Sequence, residues 1–294
     1  MDAGDLRTFE AVARLRAMNR AAAELHTVQS NVTARIRRLE SVLGCRLFDR
    51  RPTGVSLTPA GARLLPYAHR VAQLLAEAAH AARDDGEPAG VLTIGALETT
   101  AALRLSGVLA DYAAAHPGVD LVLRTGTTCE LVSAVLERRI EGAFVCGPVT
   151  HPELEERAMF REELVILAAP GLRSLADLAG AGAARLVVLR AGCSYRQRLE
   201  ALLARRGISS PRVMEFGTLE AIFACVAAGL GLTLLPRALL GPVCPAGRLS
   251  LHTLPPAEAE VETVFIRRRD AFASSAMRAF LARASRDDGG PALA

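Results

Sequence analysis

In the first third of the chain, apolar residues recur every three or four positions, the spacing that gathers them on one face of a helix. Leu6, Phe9, Val12, Ala13 and Leu15 predict a first helix over 5–16. Asn19 is placed to cap a short second helix, Arg20–Leu25, and a tight turn follows at His26. Thr27 is placed to cap a third helix, which runs through Gln29, Val32, Ile36, Leu39 and Leu43 and ends at Gly44. Residues 47–59, LFDRRPTGVSLTP, break that period. Pro-Thr-Gly between two β-prone pieces predicts a two-stranded hairpin, or wing. Thr58 and Pro59 then open a long helix to about Arg83. Its apolar stripe needs a cover, most simply the same helix of a second subunit. Asp84–Gly90 is polar and breaker-rich, a linker.

From residue 91 the pattern alternates. Strands over 91–97, 120–126, 142–147, 185–190, 213–217 and 232–236 interleave with helices over 99–116, 130–139, 195–206 and 219–228. Strand–helix alternation predicts parallel βαβ units. A second series starts near Leu164–Ala169, and the chain returns through VETVFIRR (261–268) to a last helix, 271–285. Two crossings between two α/β lobes make a hinge. The predicted domains are a winged three-helix unit over 1–58, a linker and dimerisation helix over 59–88, and a two-lobed α/β domain over 89–294. Lobe 1 takes about 91–161 and 267–294, and lobe 2 about 162–266. The fold class is α/β overall, with an all-α winged helix-turn-helix and linker helix in front.

The composition is core-forming, with 51% hydrophobic and 22% charged residues. The net charge of +4 matters once divided. Residues 1–83 hold 13 Arg against 7 Asp and Glu, and the remainder holds 22 Arg against 24 acidic residues. A basic head on a neutral body suits a nucleic-acid-binding module with a sensor attached. The six cysteines form no CxxC pair and none lies near His at metal-ligand spacing, so no metal or other cofactor is expected. MDAGDLRTFE is no signal stretch, and no apolar run reaches the ~18 residues of a membrane span. The expected location is the cytoplasm, away from membranes.

Three helices, a tight turn and a wing fit the winged helix-turn-helix, whose second motif helix presents its N-terminal residues to base edges in the major groove. Those positions hold Thr27, Gln29, Ser30, Asn31 and Thr33. Gln and Asn suit adenine, and Ser or Thr suits several edges or a phosphate. Arg35 and Arg38 lie on one side of the helix with Arg37 rotated away, and Arg50 and Arg51 sit at the wing, where phosphate contact is expected. A solvated amphipathic helix carries the same residue types.

The residues L-R-T-F-E-A-V-A (6–13), R-A-A-A-E-L-H (20–26), Gln29, V-T-A-R-I-R-R-L-E (32–40), L-G-C-R-L-F-D-R (43–50) and L-T-P-A-G (57–61) resemble the N-terminal domain of LysR-type transcription regulators. The likeness continues over nearly the whole chain. Gln29 matches the family's recognition-helix Gln and Arg50 its wing Arg. Departures are Arg16-Ala17-Met18 before the second helix, Val28 for the usual Ser, and Ser30 for the usual Pro; they bear on operator sequence. The resemblance implies double-stranded promoter DNA and RNA polymerase as partners, a homodimer or homotetramer joined through linker helices, and a sensor like a periplasmic solute-binding protein. A small effector sits between the lobes of such a sensor, and hydroxyls beside free backbone N–H groups at its strand-to-helix junctions favour a small anion. Strand-to-helix junctions facing that cleft carry Thr99, Thr100, Thr127, Thr128, Cys193, Ser194 and Thr218, with Cys146 after the third strand. Ser and Thr at such junctions also serve as plain helix caps. Cys193 stands near a helix N-terminus, which would lower its pKa, and the family's peroxide-sensing branch has its reactive cysteine in a similar segment. A thiol-responsive regulator is therefore the alternative. An enzyme or a transport-type solute receptor is the rival of another class. Gly229 and Gly231 lack a complete dinucleotide fingerprint, no nucleophile–His–acid pattern stands out, and a receptor leaves residues 1–83 without a role.

Overall fold

A computed structural model describes residues 1–51, 54–171, 185–208, 212–241 and 249–285, except for the side chains of Arg50 and Arg51. Cys244 and the wing tip at 52–53 lie outside the described residues. The chain divides into two compact units, the first Met1–Asp84 with Glu137–Arg139, the second Asp85–Leu136 with Ile140 onward.

In the first unit α1 spans Ala3–Leu15. Asp2 and Asp5 form a reciprocal capping box, each carboxylate accepting from the other's backbone N–H at 2.8 and 3.1 Å. The predicted start at Asp5 was too late because Asp5 is the third helical residue, paired back to the cap. Arg16 closes the helix in the left-handed conformation (φ 54°), and its carbonyl accepts from Val55 of the wing at 3.1 Å. Helix α2 spans Met18–Glu24 with Ala17 at its N-cap. Asn19 therefore lies inside the helix, and its side chain accepts from the Arg20 amide rather than capping the start. Helix α3 spans Gln29–Leu43 with Val28, not Thr27, at the N-cap. His26, at φ 50°, makes the turn, and Thr27 N donates to Ala22 O, which carries Thr27 one position out of the cap. Gly44 ends α3 at φ +67° as its type predicts. Val32, Ile36 and Leu39 form the buried stripe of α3, packed with Phe9, Val12 and Phe48.

Strands β1 (Phe48–Arg51) and β2 (Gly54–Leu57) form the wing, paired antiparallel from Phe48↔Leu57 to Arg51↔Gly54. Helix α4 spans Pro59–Ala81, capped by the Thr58 hydroxyl on Gly61 N at 3.1 Å. Only glycine fits at 61, since a Cβ there would lie 2.2 Å from Leu47 O.

The second unit opens with β3 (Gly90–Ala96), then α5, which runs as an α-helical turn (Glu98–Thr100), a π-helical segment (Ala101–Leu105) and an α-helix (Ser106–Ala115). There follow β4 (Val119–Thr125), α6 (Thr128–Leu136), β5 (Gly142–Cys146) and a long β6 (Leu154–Ala168). The remainder is β7 (Arg185–Leu189), α7 (Ser194–Arg205), β8 (Arg212–Phe216), α8 (Leu219–Ala227), β9 (Thr233–Pro236), β10 (Ser250–His252), the short α9 (Pro256–Ala259), β11 (Glu260–Arg268) and α10 (Ser275–Ala284). Strands β4, β3 and β5 are parallel, as alternation predicts, but β11 lies antiparallel between β5 and β6. It arrives from the other lobe by a short connection holding only the single turn α9 (Pro256–Ala259), not the longer crossover that parallel strands use, and runs against its neighbours. Because it pairs there from Glu260 onward, the return to lobe 1 precedes residue 267.

Sequence periodicity finds only the end of β6. Its first part pairs with β11 alone and is an edge strand of lobe 1, where LEERAMFREE stays polar. Its last part, Leu164–Ala168, lies between β9 and β10 in lobe 2 and is wholly buried. Lobe 1 packs Phe144 against Phe265 (5.0 Å between centroids), Phe160 (5.8 Å) and Phe280 (6.3 Å). Phe144 has no exposed surface. Phe144→Ala should therefore destabilise the sensor unit by about 3–5 kcal/mol in urea unfolding; a loss under about 1 kcal/mol would mean the cluster closes over the gap.

Candidate functional sites

At the head of α3, Gln29, Ser30 and Asn31 are exposed, and Thr27 and Thr33 half-buried. Asn31 Nδ2 donates to Thr27 Oγ1 at 2.9 Å, so these two side chains hold each other beside the turn. Val28 is 64% exposed at the N-cap, an apolar surface beside the polar ones.

The arginines divide in a way the sequence does not show. Arg38 reaches back to the capping box of α1, donating to Asp2 at 2.6 Å and to Asp5 at 2.7 Å. Arg35 lies 3.6 Å from the same Asp5 carboxylate, which is fully buried. The Asp5 amide first, then the Arg38 guanidinium, hold the Asp2 carboxyl below its usual range. These contacts draw Arg35 and Arg38 toward the protein's own acids. Arg37 is exposed, seven residues from Ser30 on the outer face, and makes no ion pair with a described residue. Glu40, absent from the sequence candidates, fixes the wing by accepting from the amides of Leu47 (2.8 Å) and Phe48 (3.3 Å). The backbones of Arg50 and Arg51 pair with Val55 and Gly54, and their side chains lie outside the described set.

Within the second unit a cavity of about 30 Å³ lies between the lobes. Lobe 1 lines it with Glu98, Thr99 and Thr127, and lobe 2 with Arg190, Cys193, Ser194 and Tyr195. Four sequence candidates therefore meet there: Thr99, Thr127, Cys193 and Ser194. Thr100 and Cys146 are buried and Thr218 exposed, all off its lining. Thr218 caps α8, accepting from Ala221 N at 3.3 Å. Thr127 is half of a capping box with Glu130, donating from N at 2.8 Å and from Oγ1 at 3.0 Å. The Thr127 amide and hydroxyl hold the Glu130 carboxyl down. Thr128 spans the cleft, since Ser194 Oγ donates to Thr128 Oγ1 at 2.9 Å. Thr99 Oγ1 is fully buried with no hydrogen-bond partner among the described residues, the Tyr195 hydroxyl being its near neighbour. Glu98 and Arg190 were missed by sequence reasoning. Their signal was available, since each stands at the end of a strand, where open sheets bind ligands.

Cys193 corrects an expectation. It is the N-cap of α7, yet burial pushes its thiol up, outweighing the nearby amides of Arg196 and Tyr195 that favour the thiolate. Burial raises Cys146 as well. A helix N-terminus lowers a thiol's pKa only where the anion is not also stripped of water.

Two family models cover the chain. Residues 3–62 match the bacterial regulatory helix-turn-helix protein of the lysR family, and residues 85–287 match the LysR substrate binding domain. The chain belongs to the LysR family. It is a LysR-type transcriptional regulator with a DNA-binding helix-turn-helix and an effector-binding domain. Its relatives include the uncharacterized HTH-type transcriptional regulator YusT of Bacillus subtilis, 45% identical over 96% of this chain and 94% of that protein. The HTH-type transcriptional regulator GltR of Bacillus subtilis is 39% identical over 94% of this chain and 93% of its own. The same fold occurs in the LysR-family regulator CbnR, with a TM-score of 0.65 at 21% identity over 99% of this chain and all of CbnR. A full-length OxyR variant from Pseudomonas aeruginosa gives a TM-score of 0.67 at 19% identity, over 98% of this chain and 94% of that one. LysR regulators bind promoter DNA, and CbnR has been solved with its target DNA. No helix among the described residues of this LysR-family chain is long and apolar enough to cross a membrane.

The thiols give a direct test. With a maleimide at neutral pH, exposed Cys45 and Cys129 should label quickly and buried Cys146 and Cys193 last, the latter pair speeding up only as pH rises. Preferential labelling of Cys193 at neutral pH, read by mass spectrometry, would restore the thiol-sensor alternative.

Proposed function

We propose that this regulator reads promoter DNA with the exposed head of α3 in paired winged domains, and that a small anionic effector held between the sensor lobes shifts the setting of those pairs. The observation that carries the effector reading is Thr99 Oγ1, a fully buried hydroxyl left without a partner at the wall of the inter-lobe cavity. A buried polar group without a partner costs free energy that a bound ligand recovers. An effector moves the equilibrium between lobe arrangements only by its differential affinity for them. Ser194–Thr128 is a bond such a change would break.

In the DNA reading, Gln29 and Asn31 meet base edges, and Thr27, Ser30 and Thr33 meet edges or phosphate. Arg37 joins wing residues Arg50 and Arg51 on the phosphates, while Arg35 and Arg38 serve chiefly to hold α3 against α1. Tyr67, Leu74 and Leu75 stand exposed along α4, at 68, 41 and 45%. Such a stripe suits a second copy of the helix, giving a homodimer and from it a homotetramer. The role is regulatory rather than enzymatic, exerted in the cytoplasm beside RNA polymerase, with no bound cofactor beyond the effector.

The reading is tested by footprinting the purified chain on DNA of its source genome, with and without metabolite extract. Discrete protected sites that change with extract support it; no site-specific protection overturns the base-reading role, and sites indifferent to extract overturn the effector. At a protected site, Gln29→Ala should erase about 1–3 kcal/mol of discrimination at one base pair in competition assays, and equal loss on every sequence argues against base contact. Arg37→Ala should weaken all sequences alike and flatten the plot of log K against log salt by about 0.9. An unchanged slope removes Arg37 from the phosphate set. Light scattering should show a dimer or larger; a monomer at working concentration overturns the assembly.

A further inference from the structure

The inter-lobe cavity is lined by charges of both signs that do not answer each other. Glu98 stands at the first turn of α5 and Arg190 just beyond β7, and no ion pair joins them or engages either with another described residue. Glu98 is half-buried, and its charged form is opposed by burial and by Glu220, against the Leu219 amide and the field of Arg190. Glu98 therefore feels Arg190 only at a distance, without an ion pair. On the other side, α7 begins at Ser194 without a side-chain cap, so its first amides add to the positive character there. Thr99 Oγ1, buried and unpartnered, lies in the same wall.

A plain anion would satisfy Arg190 and the α7 amides but face Glu98 across a space a few atoms wide. A plain amine would satisfy Glu98 and face Arg190. We propose that the cavity takes a small zwitterion of the amino-acid type, its ammonium group donating to Glu98 and its carboxylate accepting from Arg190, Thr99 and the head of α7. The inference rests on the reading of this cavity as the effector site and replaces a simple anion by a ligand with both charges. In the arrangement described, the 30 Å³ space holds only about two waters. The ligand enters as the lobes part at Ser194–Thr128 and at Gly192, where an added Cβ would lie 2.9 Å from Thr127 Oγ1.

Titration calorimetry of the full chain distinguishes the ligand classes without any variant. The probes are the proteinogenic amino acids, the 2-oxo acids that differ from them only in lacking the ammonium group, and the amines that lack the carboxylate. One or a few amino acids should bind, with the matching 2-oxo acid and amine each about tenfold or more weaker, the size of a lost charge-assisted hydrogen bond. Glu98→Gln should weaken the amino acid about as much while changing the 2-oxo acid little. A 2-oxo acid that binds as tightly as its amino acid overturns the zwitterion and leaves the anionic effector standing. No heat with any of the three sets also overturns it, and the footprint with metabolite extract then tells separately whether an effector acts at all.

Discussion

Both sensor lobes hang on one strand. A buried backbone must have its N–H and C=O groups paired, and β6 pairs nine of its first ten residues with β11 in lobe 1, Met159 falling at a register shift, and its last five with β9 and β10 in lobe 2. Neither lobe's sheet is complete without it. The crossing therefore fixes how far apart the strand ends of the two lobes stand, and so where a cavity forms between them. Its amino acids record the double duty. Glu162, at the crossing, is buried and accepts from Arg104 at 2.8 Å, while Leu164–Ala168 is apolar throughout. Movement of one lobe against the other has to be absorbed at this crossing and at the return into β11.

The first unit depends on a comparable economy of charge. Asp2 and Asp5 complete the capping of α1, and the same carboxylates anchor Arg38 and attract Arg35 from α3. One acidic pair thus satisfies the amides of one helix and orients another. It leaves the polar head of α3 and Arg37 outward, which is the geometry a groove-reading helix needs. Arg35, the arginine nearest in sequence to the reading residues, is drawn to Asp5, while Arg37 two positions on is exposed.

In the sensor, burial decides what the junction residues can do. Cys193 has the helix-head position that activates a thiol but not the water contact, so its thiol is raised. Thr127 is committed to Glu130, and Thr218 to the α8 amides. Thr99 is buried without a partner, and Glu98 and Arg190 face one space without pairing. The effector reading proposed for the cavity therefore rests on groups whose local needs are unmet rather than on those that merely share a hydroxyl.

Much was legible in the chain itself. Helices with one buried stripe announce themselves, as Val32, Ile36 and Leu39 do, and Gly44 and Thr58 mark ends because their backbone or side-chain needs are local. Parallel strands with a buried end such as β3, Gly90–Ala96, read as apolar runs, and the motif spacing over 5–61 identified the family. Sequence fixed neither the polar half of β6 nor the antiparallel entry of β11, because an edge strand keeps a solvated face and strand direction depends on where the chain has come from. It also placed Thr27 at a cap that Val28 holds and grouped Arg35 with Arg38 as free cations. Local propensity and period are properties of neighbours along the chain, and these the sequence by itself determined. Which carboxylate answers which arginine, which hydroxyl is left unpaired and which thiol loses its water are settled by residues far apart in sequence, and only the tertiary structure decided them.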